Sequence, residues 1–155
     1  MVTKKRVFIA ILALMALGMV GVLLLLAAST TPAAPLIPSN HLTTSDVSVD
    51  SSVATIKIDD ARWVTVAGTK SMEPVLMEGA QVLERVPSTA SELKVGDIIT
   101  YDSAVKNLPI IHRIVEIGSD QYGWYAKTKG DNAQNVDDES VRFPQVSGVV
   151  VAIIY

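Results

Sequence analysis

The sequence contains no cysteine, so disulfides, a thiol nucleophile and thiolate metal sites are excluded. Charge is absent from Val7 to Ala28, and no basic residue follows that run until Lys57. Past the basic tail Lys4, Lys5 and Arg6, ten basic side chains stand against sixteen acidic ones. A body of that sign is a poor binder of nucleic acid, and none is expected as a partner. Histidine is scarce, with His41 and His112 the two in the chain. Beyond Ala28 no window carries a helical apolar stripe and no internal repeat is found, which leaves strands as the expected building material.

The uncharged run "VFIAILALMALGMVGVLLLLAA" is 22 residues long. At about 1.5 Å per residue it reaches roughly 33 Å, enough for a hydrocarbon core of about 30 Å. The basic residues before it place the N-terminus in the cytoplasm and everything after Ala28 outside. The alternative is a cleaved signal peptide, since Ala27-Ala28-Ser29 supplies small residues. A signal peptide's apolar region runs only about 7–15 residues, which favours a retained single-pass anchor. The expected organisation is therefore a cytoplasmic tail over residues 1–6, a transmembrane helix over 7–28, a linker over 29–52 and an extracytoplasmic domain over 53–155. The linker, "STTPAAPLIPSNHLTTSDVSVDSS", is rich in Ser, Thr and Pro and reads as an extended spacer. His41 within it has no obvious partner.

From Val53 onward, short β-type runs alternate with turn residues. The candidates are "VATIKI", "ARWVTVAG", "AQVLERV", "DIITYD", "IIHRIVEI", "YGWYAKTK" and "VSGVVVAIIY". In "IIHRIVEI", strict alternation would put Ile111, Arg113 and Val115 on one face and His112, Ile114 and Glu116 on the other. "STASELKVGD" has room for one helical turn, capped by Ser88 or Ser91. The expected fold is mainly β, a domain of about 100 residues that can bury a core without staples.

Three features suggest chemistry. In "TKSMEPVL", Pro74 biases Glu73 away from helix, and Gly68 permits a bend upstream, so the Ser71 hydroxyl is offered on a turn. A loop serine is ordinarily just that, and a nucleophilic one needs a base. His112 is the one histidine beyond the spacer, set in an apolar run. It is either a satisfied structural imidazole or a group suited to proton transfer near neutral pH. The loop "KTKGDNAQNVDDES" then presents Asp131, Asp137, Asp138 and Glu139. Read alone, that loop is a solvated acidic surface or a carboxylate source for the imidazole. Its spacing does not fit an EF-hand calcium loop.

Together and in this order, "GTKSMEPVL", "VGDIITYD", "IIHRIVEI" and "TKGDNAQNVDD" resemble the boxes of type I signal peptidases. The likeness is to the archaeal and endoplasmic-reticulum branch, and it covers residues 61–155 and the preceding anchor. The resemblance implies a membrane-anchored serine endopeptidase that removes signal peptides from exported preproteins, on a compact β-rich domain of the signal-peptidase and repressor-protease kind. It implies Ser71 as nucleophile and His112 as general base, where the bacterial branch has lysine. Asp131 and Asp137 match the family's two acids, with Asp137 favoured as the imidazole partner and Asp131 shaping the loop. The Ser71 amide and the Thr69 hydroxyl are the expected oxyanion donors, and Met72 is an expected lining of the substrate site. No cofactor and no metal are implied. The expected partners are exported preproteins, the lipid of a cell membrane and the secretion translocon.

Lys70 departs from the pattern, because a small residue often precedes the family's serine. Adjacent residues in an extended segment point to opposite sides, so Lys70 is not expected to reach the Ser71 hydroxyl. Two other readings compete: an anchored β-domain without catalysis that acts as a binding module, and a self-cleaving repressor-type protease. The second would use a lysine base and a DNA-binding domain, and neither is found.

Overall fold

A computed structural model describes residues 36–155, which form one unit, Leu36–Tyr155. The tail and anchor expected over residues 1–28 lie outside the described residues. Among the described residues no helix is long and apolar enough to cross a membrane.

The chain is mainly β, as its runs of β-branched residues require. A hairpin of β1 (Val47–Asp50) and β2 (Val53–Ile56) comes first, and every residue of both strands is exposed. The remaining strands are β3 (Ala61–Thr65), β4 (Gln81–Arg85), β5 (Ile98–Ser103), β6 (Leu108–Asp120), β7 (Gly123–Lys129), β8 (Val141–Arg142) and β9 (Val146–Ile154). They form one antiparallel sheet in the order β3-β4-β9-β5-β6-β7-β8. The one-turn helix near residue 90 is a 3-10 turn over Ala90–Glu92, entered at Thr89 rather than at Ser88 or Ser91. The Glu92 carboxylate accepts the N–H groups of Ser88 and Thr89, which fixes that start.

Alternation along the strands sends side chains to two cores. Ile99, Tyr101, Ile114, Ala126 and Val149 gather on one face of the sheet. Ile98, Val82, Val66, Met72 and Leu76 gather on the other. Each core removes several large aliphatic side chains from water, at about 1.5–3 kcal/mol apiece.

Strand β6 does not keep the strict alternation expected of it. Ile114 pairs with Thr128 but Glu116 pairs with Lys127, so Val115 is a bulge. Up to the bulge, Ile110, His112 and Ile114 share a face. After it the phase inverts, so Glu116 is exposed and Ile117 joins Ile114 in the same core. The inversion lets one long strand serve the site at its start and the core at its end.

Candidate active site

Ser71 opens a turn segment between β3 and β4. Met72 and Leu76 are buried at 2% and 1% exposure, and the Leu76 amide donates to the Met72 carbonyl at 2.9 Å. Those two apolar side chains pin the segment to the core and leave the Ser71 hydroxyl on the rim. Lys70 just before it has φ of 62°, a left-handed conformation unusual for a side chain of its size. The Lys70 side chain is exposed and makes no hydrogen bond to Ser71 among the described residues, but the cause is this left-handed turn, not an extended segment. The Lys70 carbonyl is gripped by the Asn132 side-chain amide at 3.1 Å.

His112 stands on β6 beside the serine, with Nε2 at 3.1 Å from the Ser71 Oγ. Its Nδ1 is 2.7 Å from an Asp137 carboxylate oxygen. The pleat explains the convergence. Tyr101 pairs across from Ile110, and Thr128 from Ile114, so both share the His112 face of three adjacent strands. The loop after β7 folds back over that face, with the Asp137 amide donating to the Thr128 carbonyl at 2.8 Å. The same Asp137 oxygen then accepts the Thr128 hydroxyl at 2.7 Å and the Tyr101 hydroxyl at 3.3 Å. Burial, with some help from Asp137, pushes the Tyr101 phenol well above its ordinary range, so it stays a neutral donor. With Nδ1–H donated to Asp137, the Nε2 lone pair faces the Ser71 O–H, the tautomer that proton abstraction needs.

Asp131 lies elsewhere. Arg113 donates to both of its oxygens, at 2.8 and 2.7 Å, and to the Gly96 carbonyl at 2.7 Å. That bidentate pair holds the loop whose next residue, Asn132, donates its amide to the Ser71 carbonyl at 2.8 Å. Asp138 is exposed, and among the described residues no hydrogen bond joins it to His112, whose partners are Asp137 and Ser71. Thr69 Oγ1 is 3.2 Å from Ser71 Oγ, so a second hydroxyl stands at the serine.

A cleft of about 420 Å³ opens in front of Ser71 and His112, with Ala67, Leu108, Pro109, Ile110 and Ile111 as its apolar walls. Met72 is not among them. Its side chain turns into the core, where the thioether sulfur accepts the Asp131 amide at 3.4 Å. A second cavity of about 340 Å³ lies past Ile110, over Tyr101 and Asp137–Glu139.

Sequence reasoning did not single out Tyr101, Thr128 or the Arg113–Asp131 pair. Arg113 had one local signal, its place next to His112. Tyr101 and Thr128 had none, because their roles exist only once β5, β6 and β7 are aligned.

No protein-family model matches the chain. Over 84 residues it is 38% identical to the signal peptidase complex catalytic subunit SEC11 of Colletotrichum graminicola, covering 52% of this chain and 47% of that protein. It is 38% identical over 77 residues to signal peptidase I W of Bacillus subtilis, covering 46% of this chain and 40% of that protein. A SEC11 catalytic subunit of Dictyostelium discoideum is 42% identical over 52 residues, or 33% of this chain and 28% of that protein. The matched region is thus less than half the length of each of these relatives.

Proposed function

Starting from its kinship with the signal peptidases, we propose that this chain is a membrane-anchored serine endopeptidase that removes signal peptides from exported preproteins. The observation that carries the reading is the hydrogen-bonded series Ser71–His112–Asp137, at 3.1 and 2.7 Å. In the proposed reaction Ser71 Oγ attacks the scissile carbonyl while His112 Nε2 takes the hydroxyl proton. The tetrahedral adduct collapses, and the same proton passes to the departing amine, which leaves as the mature protein's N-terminus. A water molecule then attacks the acyl-serine ester with His112 again as base, releasing the signal peptide's carboxylate and restoring the serine. Asp137 keeps the imidazole in the useful tautomer and offsets its charge once protonated.

The Ser71 N–H and the Thr69 hydroxyl are the proposed oxyanion donors. Among the described residues, the Ser71 amide donates to no other protein group. The aliphatic cleft beside the serine suits small apolar side chains ahead of the cut. The run Val7–Ala28 would hold the domain at the outer face of a cell membrane, where the secretion translocon delivers its substrates.

The test is cleavage of a preprotein by membranes carrying the wild-type chain, Ser71→Ala or His112→Ala. Wild type is expected to convert precursor to mature protein, and both variants to leave the precursor uncut with an unchanged β-sheet circular dichroism spectrum. Wild-type levels of cleavage by either variant would overturn the assignment.

A further inference from the structure

Residues 36–41 belong to the Ser/Thr/Pro-rich stretch, yet they are fastened to the catalytic body. The Asp97 carboxylate, 0% exposed, accepts the Ser39 amide at 2.6 Å, His41 Nε2–H at 3.1 Å and the Lys94 amide at 2.9 Å. The His41 ring is itself 6% exposed, and the Arg85 guanidinium reaches its Nδ1 at 3.4 Å while also pairing with Glu92 at 2.6 Å. Next door, Gly96 has φ of 105°, and a Cβ there would lie 2.3 Å from the Ile37 carbonyl oxygen. The segment's backbone therefore lies directly on a position that only glycine fits.

The other side of this turn supports the candidate active site. The Gly96 carbonyl accepts Arg113 Nη1–H, and the Asp97 carbonyl accepts the Ile114 amide at 2.8 Å. Arg113 forks onto Asp131, and the adjoining Asn132 amide holds the Ser71 carbonyl. We infer that His41 is a positioning residue for the triad: by fastening residues 36–41 onto Asp97, it holds the turn on which Arg113, the Gly130–Asn132 loop and Ser71 are seated. Burial alone would raise the Asp97 carboxyl, but His41 and the amides of Ser39 and Lys94 outweigh it and hold it below the usual carboxylate range. Without His41 that buried carboxylate keeps only the Ser39 and Lys94 amides, an incomplete set of donors that favours its shift toward water. Such a move draws the Gly96 carbonyl away from Arg113.

The kinetic arm of the test rests on the proposed endopeptidase activity, and the structural arm does not. The full chain is compared as wild type, His41→Ala and His41→Gln, by steady-state cleavage of a signal-peptide substrate and by hydrogen-exchange mass spectrometry. His41→Ala is expected to lower kcat about tenfold with KM little changed, because a small displacement of reacting groups acts on the chemical step. It is also expected to speed exchange at residues 94–97 and 130–133. His41→Gln, whose side-chain amide can still donate to Asp97, is expected to restore most of both. Should His41→Ala fail to fold, His41→Phe, which keeps the ring's bulk and deletes its bond to Asp97, is read the same way. Unchanged exchange at 130–133, or an unchanged kcat, would overturn the inference. If the wild type cleaves nothing, the endopeptidase reading falls and the exchange at 130–133 alone decides the role of His41.

Discussion

Gly130 occupies a point where no side chain fits. A Cβ there would lie 2.5 Å from the Ser71 carbonyl oxygen and 3.0 Å from His112 Nε2. The first neighbour is backbone and cannot swing away, so the loop or the serine must shift. Gly130→Ala is expected to lower kcat by about a hundredfold, the scale of an ångström of misplacement at reacting groups, while the thermal midpoint moves by only a few degrees. Steady-state kinetics beside a melting curve checks this, and a kcat within twofold of wild type would mean the loop yields harmlessly. The Gly-Asp-Asn step was legible in the sequence as a turn. The reason for its glycine was not, because the crowding atoms come from β6 and from the segment after β3. Tyr101 and Thr128 were hidden for the same reason, since a tyrosine and a threonine in strands look alike whether they face a core or a carboxylate.

Among the elements, the central strands and the β1–β2 hairpin differ in what protects them. Strands β5 and β9 lie inside the sheet with buried residues on their core faces, whereas every residue of β1 and β2 is exposed. An isolated two-stranded hairpin is marginal in water. Amide exchange of Val47–Ile56 is therefore expected to be fast, through local opening, while β5 exchanges only through global unfolding. Hydrogen exchange resolved by segment measures both, and equal protection would mean that a packing partner covers the hairpin. Each of the seven runs of the sequence overlaps one strand; β-branched alternation marks the strands that meet a core, and it marks β2 as well, although β2 is exposed throughout. The pattern misses the rest for local reasons. β1 has no buried face, β8 is two residues long, and the bulge at Val115 inverts a phase that periodicity alone would continue. His41 looked partnerless for a related reason, since Asp97 and Arg85 reach it only after the sheet has formed. For the candidate site, the order of Ser71, His112 and the acidic loop was legible. The division of labour between Asp131 and Asp137 follows from which strand face each side of the loop meets.

At the scale of the whole molecule, carboxylates pull stability in opposite directions as pH changes. Hydrogen bonds from Arg85 and Arg142 hold Glu92 and Asp120 below the usual carboxylate range. Such groups stabilise the fold above their unfolded pKa and lose that effect as pH falls through the folded value. Both are at the surface, where solvent screens the gain. Glu84 acts the other way. It is 0% exposed, accepts the Thr100 hydroxyl at Oε1, and has Oε2 without a hydrogen-bond partner among the described residues. Burial raises its pKa, against the opposing pull of Thr100 and the Arg62 charge. Below the unfolded value of about 4.3, both folded and unfolded chains carry the Glu84 proton and nothing is lost. Above it, the unfolded chain releases the proton while the folded one keeps it, so stability falls as pH rises toward the folded pKa. Within that window the limiting slope for one proton is about 1.4 kcal/mol per pH unit. Glu84→Gln removes the titration while keeping the shape. Its two amide hydrogens shift stability by an amount that does not vary with pH. The difference in unfolding free energy, Glu84→Gln minus wild type, is therefore expected to grow from pH 4 upward and then level off, whatever its starting sign. Urea unfolding of both chains at several pH values between 4 and 8 supplies that difference. A flat line would mean that Glu84 ionises as readily in the folded sheet as in the open chain.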